Sequence, residues 1–199
     1  MSSDDTGAKL AKALQDDKDA LGSLLESYRP YVRLLAMRAL DPVLNARLSA
    51  SDVVQQTFLE ASRDLASFRG SSEAQFLGWL RQILLHNVAH ATQTNVVTQK
   101  RTVRKEQSLD RAAPERIRER LPSRISSPSS RAMRGELAVR LAQAMDTLPA
   151  AQYEAIRLRY LEGCTLDQIA GRMRRSEVAA AGLIKRGLRG LKDRLSRWN

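Results

Sequence analysis

Apolar residues recur along this chain at three- and four-residue steps, the spacing that lines one face of an α-helix. Nothing resembles a run of alternating strands. After a frayed acidic end over 1–6, Leu10, Leu14, Leu21, Leu24 and Leu25 mark one amphipathic helix from about 8 to 27. Pro30 opens the next, with Val32, Leu35, Ala36 and Leu40 inward, and Asp41-Pro42 closes it. Ser49 caps a third helix that carries Val53, Val54, Thr57, Phe58, Ala61 and Leu65. The run F-R-G-S-S breaks it at 68–72. Ser72 then caps a longer helix with Phe76, Leu77, Leu80, Ile83, Leu84, Val88 and Ala91 as its apolar set and Trp79 at the edge of that set.

The rhythm lapses over 96–134, where Pro114, Pro122 and Pro128 punctuate an Arg-rich stretch. Composition predicts a flexible, positively charged linker there, with a short helix near 115–121 left open. From 131 the helical pattern resumes at Leu137, Leu141, Ala144, Met145 and Leu148. Pro149 starts a helix with Ile156, Leu158, Tyr160 and Leu161, and Gly163 ends it. Thr165, with Gln168 three residues on, opens a short helix through Leu166, Ile169, Ala170 and Met173. Arg174 and Arg175 make a tight break. Ser176 caps a last helix whose apolar set is Ala180, Ile184, Leu188, Leu191 and Leu195. Short helix, turn and second helix, with small Ala170 where the two cross, form a helix-turn-helix pattern. The expected fold is all-α: two small helical domains, 8–95 and 131–199, joined by a flexible basic linker over 96–130, the C-terminal one a helix-turn-helix domain.

Charge sharpens this picture. The 199 residues carry 33 Lys/Arg against 22 Asp/Glu, a formal net charge of +11. The excess is local: 11 basic against 4 acidic residues over 100–134, and 9 against 2 over 171–199, while 1–27 is net acidic. A cationic linker and a cationic last helix suit a polyanion such as DNA. Cys164 is the sole cysteine, so no internal disulfide forms. No apolar run is long enough to insert in a membrane, and the N-terminus lacks a signal-like core, so a cytoplasmic protein is expected. His86 and His90 have a zinc-peptidase spacing, but Asn87 stands where the catalytic Glu belongs and no third ligand follows, so no metal and no cofactor are expected. Without a nucleophile–base pairing or a phosphate loop, an enzyme is not expected.

Three stretches carry a family resemblance. D-V-V-Q-Q-T-F at 52–58 looks like a D-L-V-Q-E-T-F segment. F-R-G-S-S-E-A-Q-F-L-G-W-L at 68–80 is similar to F-R-G-x-x-x-F-x-x-W-L, with R-x-I-x-x-N following at Arg81, Ile83 and Asn87. The segment at 148–170, beginning L-P-A-A-Q-Y-E, looks like the opening of a second DNA-binding domain. Together and in this order they resemble the extracytoplasmic-function (ECF) sigma factors, subunits that bind core RNA polymerase and direct promoter recognition, DNA opening and transcription initiation. The resemblance implies that Asp52, Gln55, Gln56 and Phe58 meet polymerase. It implies that Arg69, Ser71, Ser72, Trp79, Asn87 and His90 engage the minus-ten element. Arg175, Ser176, Glu177, Lys185, Arg186 and Arg189 would meet the minus-thirty-five element. Core RNA polymerase, promoter DNA and an anti-sigma or other regulatory protein are the partners implied.

The chain departs from the pattern in three places. Gln56 replaces a common Glu, Arg174 stands where a Gly usually turns the chain, and Ala179, Ala180, Ala181, Gly182 and Leu183 replace T-V-K-S-R. Of these five, Ala180 matches a core position and the others lose polar atoms that read base edges. The alternative is a stand-alone helix-turn-helix regulator, which needs a dimer seam for two half-sites.

Overall fold

The structure is a computed structural model that describes residues 3–40, 49–102 and 128–197. The described elements are all helical. They fall into two compact units, residues 1–135 and 136–199.

Among the described residues the first unit is built on four helices: α1 (Ser3–Ala13), α2 (Lys18–Ala39), α3 (Ala50–Asp64) and α4 (Glu73–Thr102). A single 3₁₀ turn, Leu65–Ser67, follows α3. Helix α2 is central, packing against α1, α3 and α4. Its Leu24, Tyr28, Val32 and Ala36 are fully buried at steps of four, as are Val54 and Ala61 of α3 and Phe76, Leu80, Leu84 and Val88 of α4. Each such side chain contributes about 1.5–3 kcal/mol by leaving water, so this shared face outweighs local propensity.

That excess explains two corrections. The single helix expected over 8–27 is broken at Asp16, which takes a left-handed φ of 68°. Asp16 N–H donates to the Ala13 carbonyl and Asp17 N–H to the Lys12 carbonyl, closing α1 as a Schellman turn. The Asp17 carboxylate then accepts from Ala20 N–H at 2.9 Å, capping α2. Conversely, Pro30 opens no helix and lies inside α2. It forfeits one backbone bond, but Tyr28, Tyr31 and Val32 beside it are buried and hold the helix through. The N-terminal segment is not wholly frayed either, since α1 begins at Ser3 and Thr6 is buried.

Helix α4 runs to Thr102, past residue 96 where the apolar rhythm lapses. Terminal helical turns need no buried face. Most of the basic linker expected over 96–130, including the short helix left open near 115–121, lies outside the described residues, as does the Asp41-Pro42 closure.

Helix α5 (Pro128–Asp146) leads into the second unit, with α6 (Ala150–Ile156), a π-helical turn Arg157–Leu161, α7 (Leu166–Met173) and α8 (Glu177–Ser196). The inward residues of α5 include Val139, Ala142 and Met145; Leu137, expected inside, is 57% exposed. The wide turn after α6 lets Glu162 N–H reach the Arg157 carbonyl, and Gly163 (φ 71°) closes it. Tyr160, also expected inside, is thereby turned to solvent.

Helix α8 packs on both α6 and α7. It buries Ala180, Leu183, Gly187 and Leu191. Leu188 is exposed, so the inward row runs through Leu183 and Gly187 and not through Leu188 as expected. Gly187 is needed for the close approach, because a Cβ there would stand 2.6 Å from Ile156 Cδ1. Nothing lies within 4 Å of a Cβ at Gly171 on α7. Gly187→Val therefore loses about 1–3 kcal/mol by overpacking, whereas Gly171→Ala gains up to about 1 kcal/mol of helix propensity. Urea unfolding of the two variants checks these opposite signs.

Candidate nucleic-acid and polymerase interface

On α3, the Ser49 hydroxyl accepts from Ser51 N–H at 3.2 Å and starts the helix. Asp52, Gln55 and Gln56 are all exposed, at spacings that make one row. Gln56 Nε2 donates to Glu60 Oε1 at 2.8 Å, so the Gln that replaces a common Glu is held by the next acid along. The row continues to Leu59, 60% exposed, which the sequence reading left out. Its signal was available: it sits seven residues beyond Asp52. Phe58 lies on the other side of the helix. It is buried beneath the Arg29 guanidinium, 5.0 Å from its ring centroid.

Between α3 and α4 runs a buried polar link. Thr57 Oγ1 donates to the Val53 carbonyl at 2.7 Å and accepts from Asn87 Nδ2 at 3.3 Å. Asn87 is only 7% exposed. Of the six residues assigned to the minus-ten element, it is the one turned into the core, where it joins the two helices.

The loop before α4 brings Arg69, Ser71 and Ser72 together. Gly70 allows it: a Cβ there would lie 2.4 Å from the Phe68 ring and 2.9 Å from Gln75 Cβ. Gln75 Oε1 accepts from Ser71 and Ser72 N–H at 2.9 and 3.2 Å, while Gln75 N–H donates to Ser72 Oγ at 3.3 Å. Ser72 is thus engaged in the cap, as its position implied. Arg69 is exposed and donates to the Ala66 carbonyl at 3.1 Å. Under the loop sits an aromatic cluster, with Phe68 5.3 Å from Trp79 and 5.7 Å from Phe76 by ring centroids. Trp79 is half-buried in it. Tyr28 lies 6.0 Å from Phe76 and donates to Glu73 Oε1 at 2.8 Å. Burial, then that bond, pushes the Tyr28 phenol far above its ordinary pKa. His90 is exposed about five turns along α4 from Ser72, away from the loop residues. Among the described residues no three His, Cys, Asp or Glu gather as a metal site would require, and no helix is long and apolar enough to cross a membrane.

In the second unit, Thr165 and Gln168 form the reciprocal capping box that starts α7, at 2.9 and 3.3 Å. Ala170 and Ala180 meet in a small core with Leu158, Cys164 and Ile169. An ion-pair chain ties α7 to the turn before it and to α6. Arg157 pairs with Glu154 at 2.7 Å and with Glu162, and Glu162 also takes Arg172 of α7. The Arg157 bond holds the half-exposed Glu154 carboxyl below its ordinary pKa.

The turn is left-handed, with Arg174 at φ 52° and ψ 51°. Arg174 N–H donates to the Gly171 carbonyl and Arg175 N–H to the Ala170 carbonyl, the two bonds of a Schellman closure. Ser176 Oγ then accepts from Ala179 N–H at 3.2 Å and starts α8. Arg175, Ser176, Glu177, Lys185, Arg186 and Arg189 are all exposed. Leu183, assigned to the reading face by the family pattern, is buried. Val178, 84% exposed, was overlooked. A β-branched apolar residue two positions after a serine cap, outside the inward row, was the available signal.

Two family models match the chain, one in each unit. A family model described as Sigma-70 region 2 matches residues 24–93, and one described as Sigma-70, region 4 matches residues 138–191. The chain is 29% identical over 191 residues to the ECF RNA polymerase sigma factor SigD of Mycobacterium tuberculosis, covering 94% of this chain and 82% of that one. It is 30% identical over 164 residues to the ECF RNA polymerase sigma-E factor of Haemophilus influenzae, covering 82% and 80%. A solved structure of CnrH in complex with the cytosolic domain of CnrY aligns at 19% identity and a TM-score of 0.36, over 97% and 98% of the two chains.

The Arg174 turn yields a stability prediction. A non-glycine residue in the left-handed region costs about 1–2 kcal/mol, and glycine gives back part of that in unfolded-chain entropy. Arg174→Gly should therefore raise unfolding stability by about 0.5–1 kcal/mol, measured by urea titration followed by circular dichroism. A loss of stability would mean that the Arg side chain holds the turn.

Proposed function

The chain belongs to the ECF sigma factors of RNA polymerase, and from that premise we propose how its two units divide the work. It binds core RNA polymerase and directs promoter recognition, DNA opening and transcription initiation. In this reading the outward row of α3, Asp52, Gln55 and Gln56 extended by Leu59, docks on the coiled coil of the largest subunits. Phe58, sunk beneath Arg29, sets the tilt of that row without touching polymerase.

The loop and first turns of α4 take the minus-ten element. Arg69 and Ser71 meet the backbone of the non-template strand, and Trp79 offers an aromatic surface to an unstacked base. Ser72 holds the loop's shape, Asn87 fixes α4 on α3, and His90 meets DNA further along. The second unit places α8 in the major groove of the minus-thirty-five element, with Arg175, Ser176, Glu177, Lys185, Arg186 and Arg189 at its face. Joining two weak contacts on one chain raises the effective concentration of the second, so the pair selects promoters that neither would select alone.

The chain supplies no bond chemistry of its own; capturing one strand stabilises the open state. It works in the cytoplasm, beside polymerase. An anti-sigma type of regulatory protein, covering the α3 row or the α8 face, keeps it idle. The observation that carries the reading is the succession of a region 2 match and a region 4 match in one chain. A stand-alone regulator would have no use for the first.

Reconstitution with core polymerase tests this. The chain should confer promoter-dependent transcripts at sub-micromolar concentration. The triple variant Asp52→Ala, Gln55→Ala, Leu59→Ala should bind core at least about tenfold more weakly, on the scale of a lost interface hot spot, with its unfolding midpoint nearly unchanged. Absence of core binding by the wild-type chain at micromolar concentration would contradict the assignment. Full core affinity in the triple variant would contradict the docking row.

A further inference from the structure

The outermost row of α8 is not uniformly basic. Val178, Ala181, Lys185 and Arg189 follow one another at three- and four-residue steps, opposite the inward row of Ala180, Leu183, Gly187 and Leu191. Val178 is 84% exposed, the most exposed of the large apolar side chains among the described residues. Ala181 is exposed beside it, and Gly182 carries no side chain at all. Where a Cβ would stand at Gly182, the Arg186 guanidinium passes 3.2 Å away. Beside the exposed Glu177, the first two turns of this helix therefore present a small apolar surface formed by Val178 and Ala181. Arg175 precedes it, and Lys185, Arg186 and Arg189 follow.

A second helix of a helix-turn-helix puts its N-terminal residues deepest against base edges. An apolar surface there cannot satisfy the exposed amino group of cytosine or the two acceptors of guanine, and burying these unpaired is costly. It can bury the C5-methyl group of thymine, which is the one apolar feature of the major-groove edge. The basic residues around it match phosphates and argue against an apolar protein partner on this face.

We propose that Val178 and Ala181 read thymine C5-methyl groups, giving the minus-thirty-five element one or two adjacent A·T pairs chosen by apolar contact. Lys185, Arg186 and Arg189 then anchor the helix on phosphates. This inference rests on the promoter-reading role proposed for α8 and adds what that face selects.

The experiment uses the reconstituted holoenzyme and a promoter library randomised across the upstream element. Wild-type protein should enrich thymine at one or two adjacent positions, and Val178→Ser should erase that enrichment while other preferences persist. On the selected promoter, replacing the thymine by deoxyuridine removes only the methyl group. It should weaken wild-type binding about fourfold, the worth of one buried methyl-sized group, and leave Val178→Ser indifferent. Placing 5-methylcytosine where cytosine is disfavoured should recover part of the loss for wild-type alone. Deoxyuridine without effect on wild-type, or thymine enrichment that survives Val178→Ser, overturns the methyl contact while leaving α8 as a promoter reader. No base preference anywhere in the upstream element overturns the promoter-reading role, and this inference with it.

Discussion

The second unit depends on one steric constraint: α7 and α8 pack through small residues, Ala170 and Ala180, in one core with Leu158, Cys164 and Ile169. Two helices packed that tightly leave the turn little freedom, and the chain closes it by driving Arg174 into the left-handed region. The backbone bonds to Gly171 and Ala170 recover part of the strain. Once that geometry is set, the facing of every α8 residue follows. Leu183 and Gly187 turn toward Ile156 and the core, while Val178, Ala181, Lys185 and Arg189 turn outward. The ion pairs from Arg157 and Arg172 to Glu162 hold α7 to the preceding turn, so α8 packs on a braced support.

The first unit solves a different problem with the same economy of polar atoms. Its outward α3 row and its α4 loop, proposed to meet different partners, are borne by helices that share a core. The Thr57–Asn87 bond crosses that core. Satisfied buried polar pairs favour one packing over near alternatives, so the angle between α3 and α4 is specified by this pair as well as by apolar contact. The aromatic cluster of Phe68, Phe76 and Trp79 does the corresponding service for the loop.

Much of this was legible in the sequence where two local signals agreed. Ser49, Ser72, Thr165 with Gln168, and Ser176 all cap the helices their patterns announced. Most of the apolar sets of α3 and α4 lie in the core as read. The misreadings share a cause: a side-chain rule was applied where packing or backbone geometry decided. Pro30 is a helix opener by local preference, but tertiary burial around it carries the helix through. Leu188 is large and apolar, yet the inward row of α8 runs through Leu183 and Gly187, because the close approach to Ile156 admits only Gly there; Leu137 is exposed while Val139 and Ala142 are buried. Tyr160 is displaced by a wide turn that no residue preference signals. Asn87 reads as a surface amide because polarity hides the one partner, Thr57, that lets it be buried.

The account's central claim is that two separate helical units grip one promoter at two places. Hydroxyl-radical footprinting of the holoenzyme on a single promoter tests it most directly. Two protected segments separated by an accessible one are expected, and replacing Lys185, Arg186 and Arg189 by alanine should remove the upstream segment alone. A single continuous footprint, or upstream protection that survives the loss of those three cations, would contradict it.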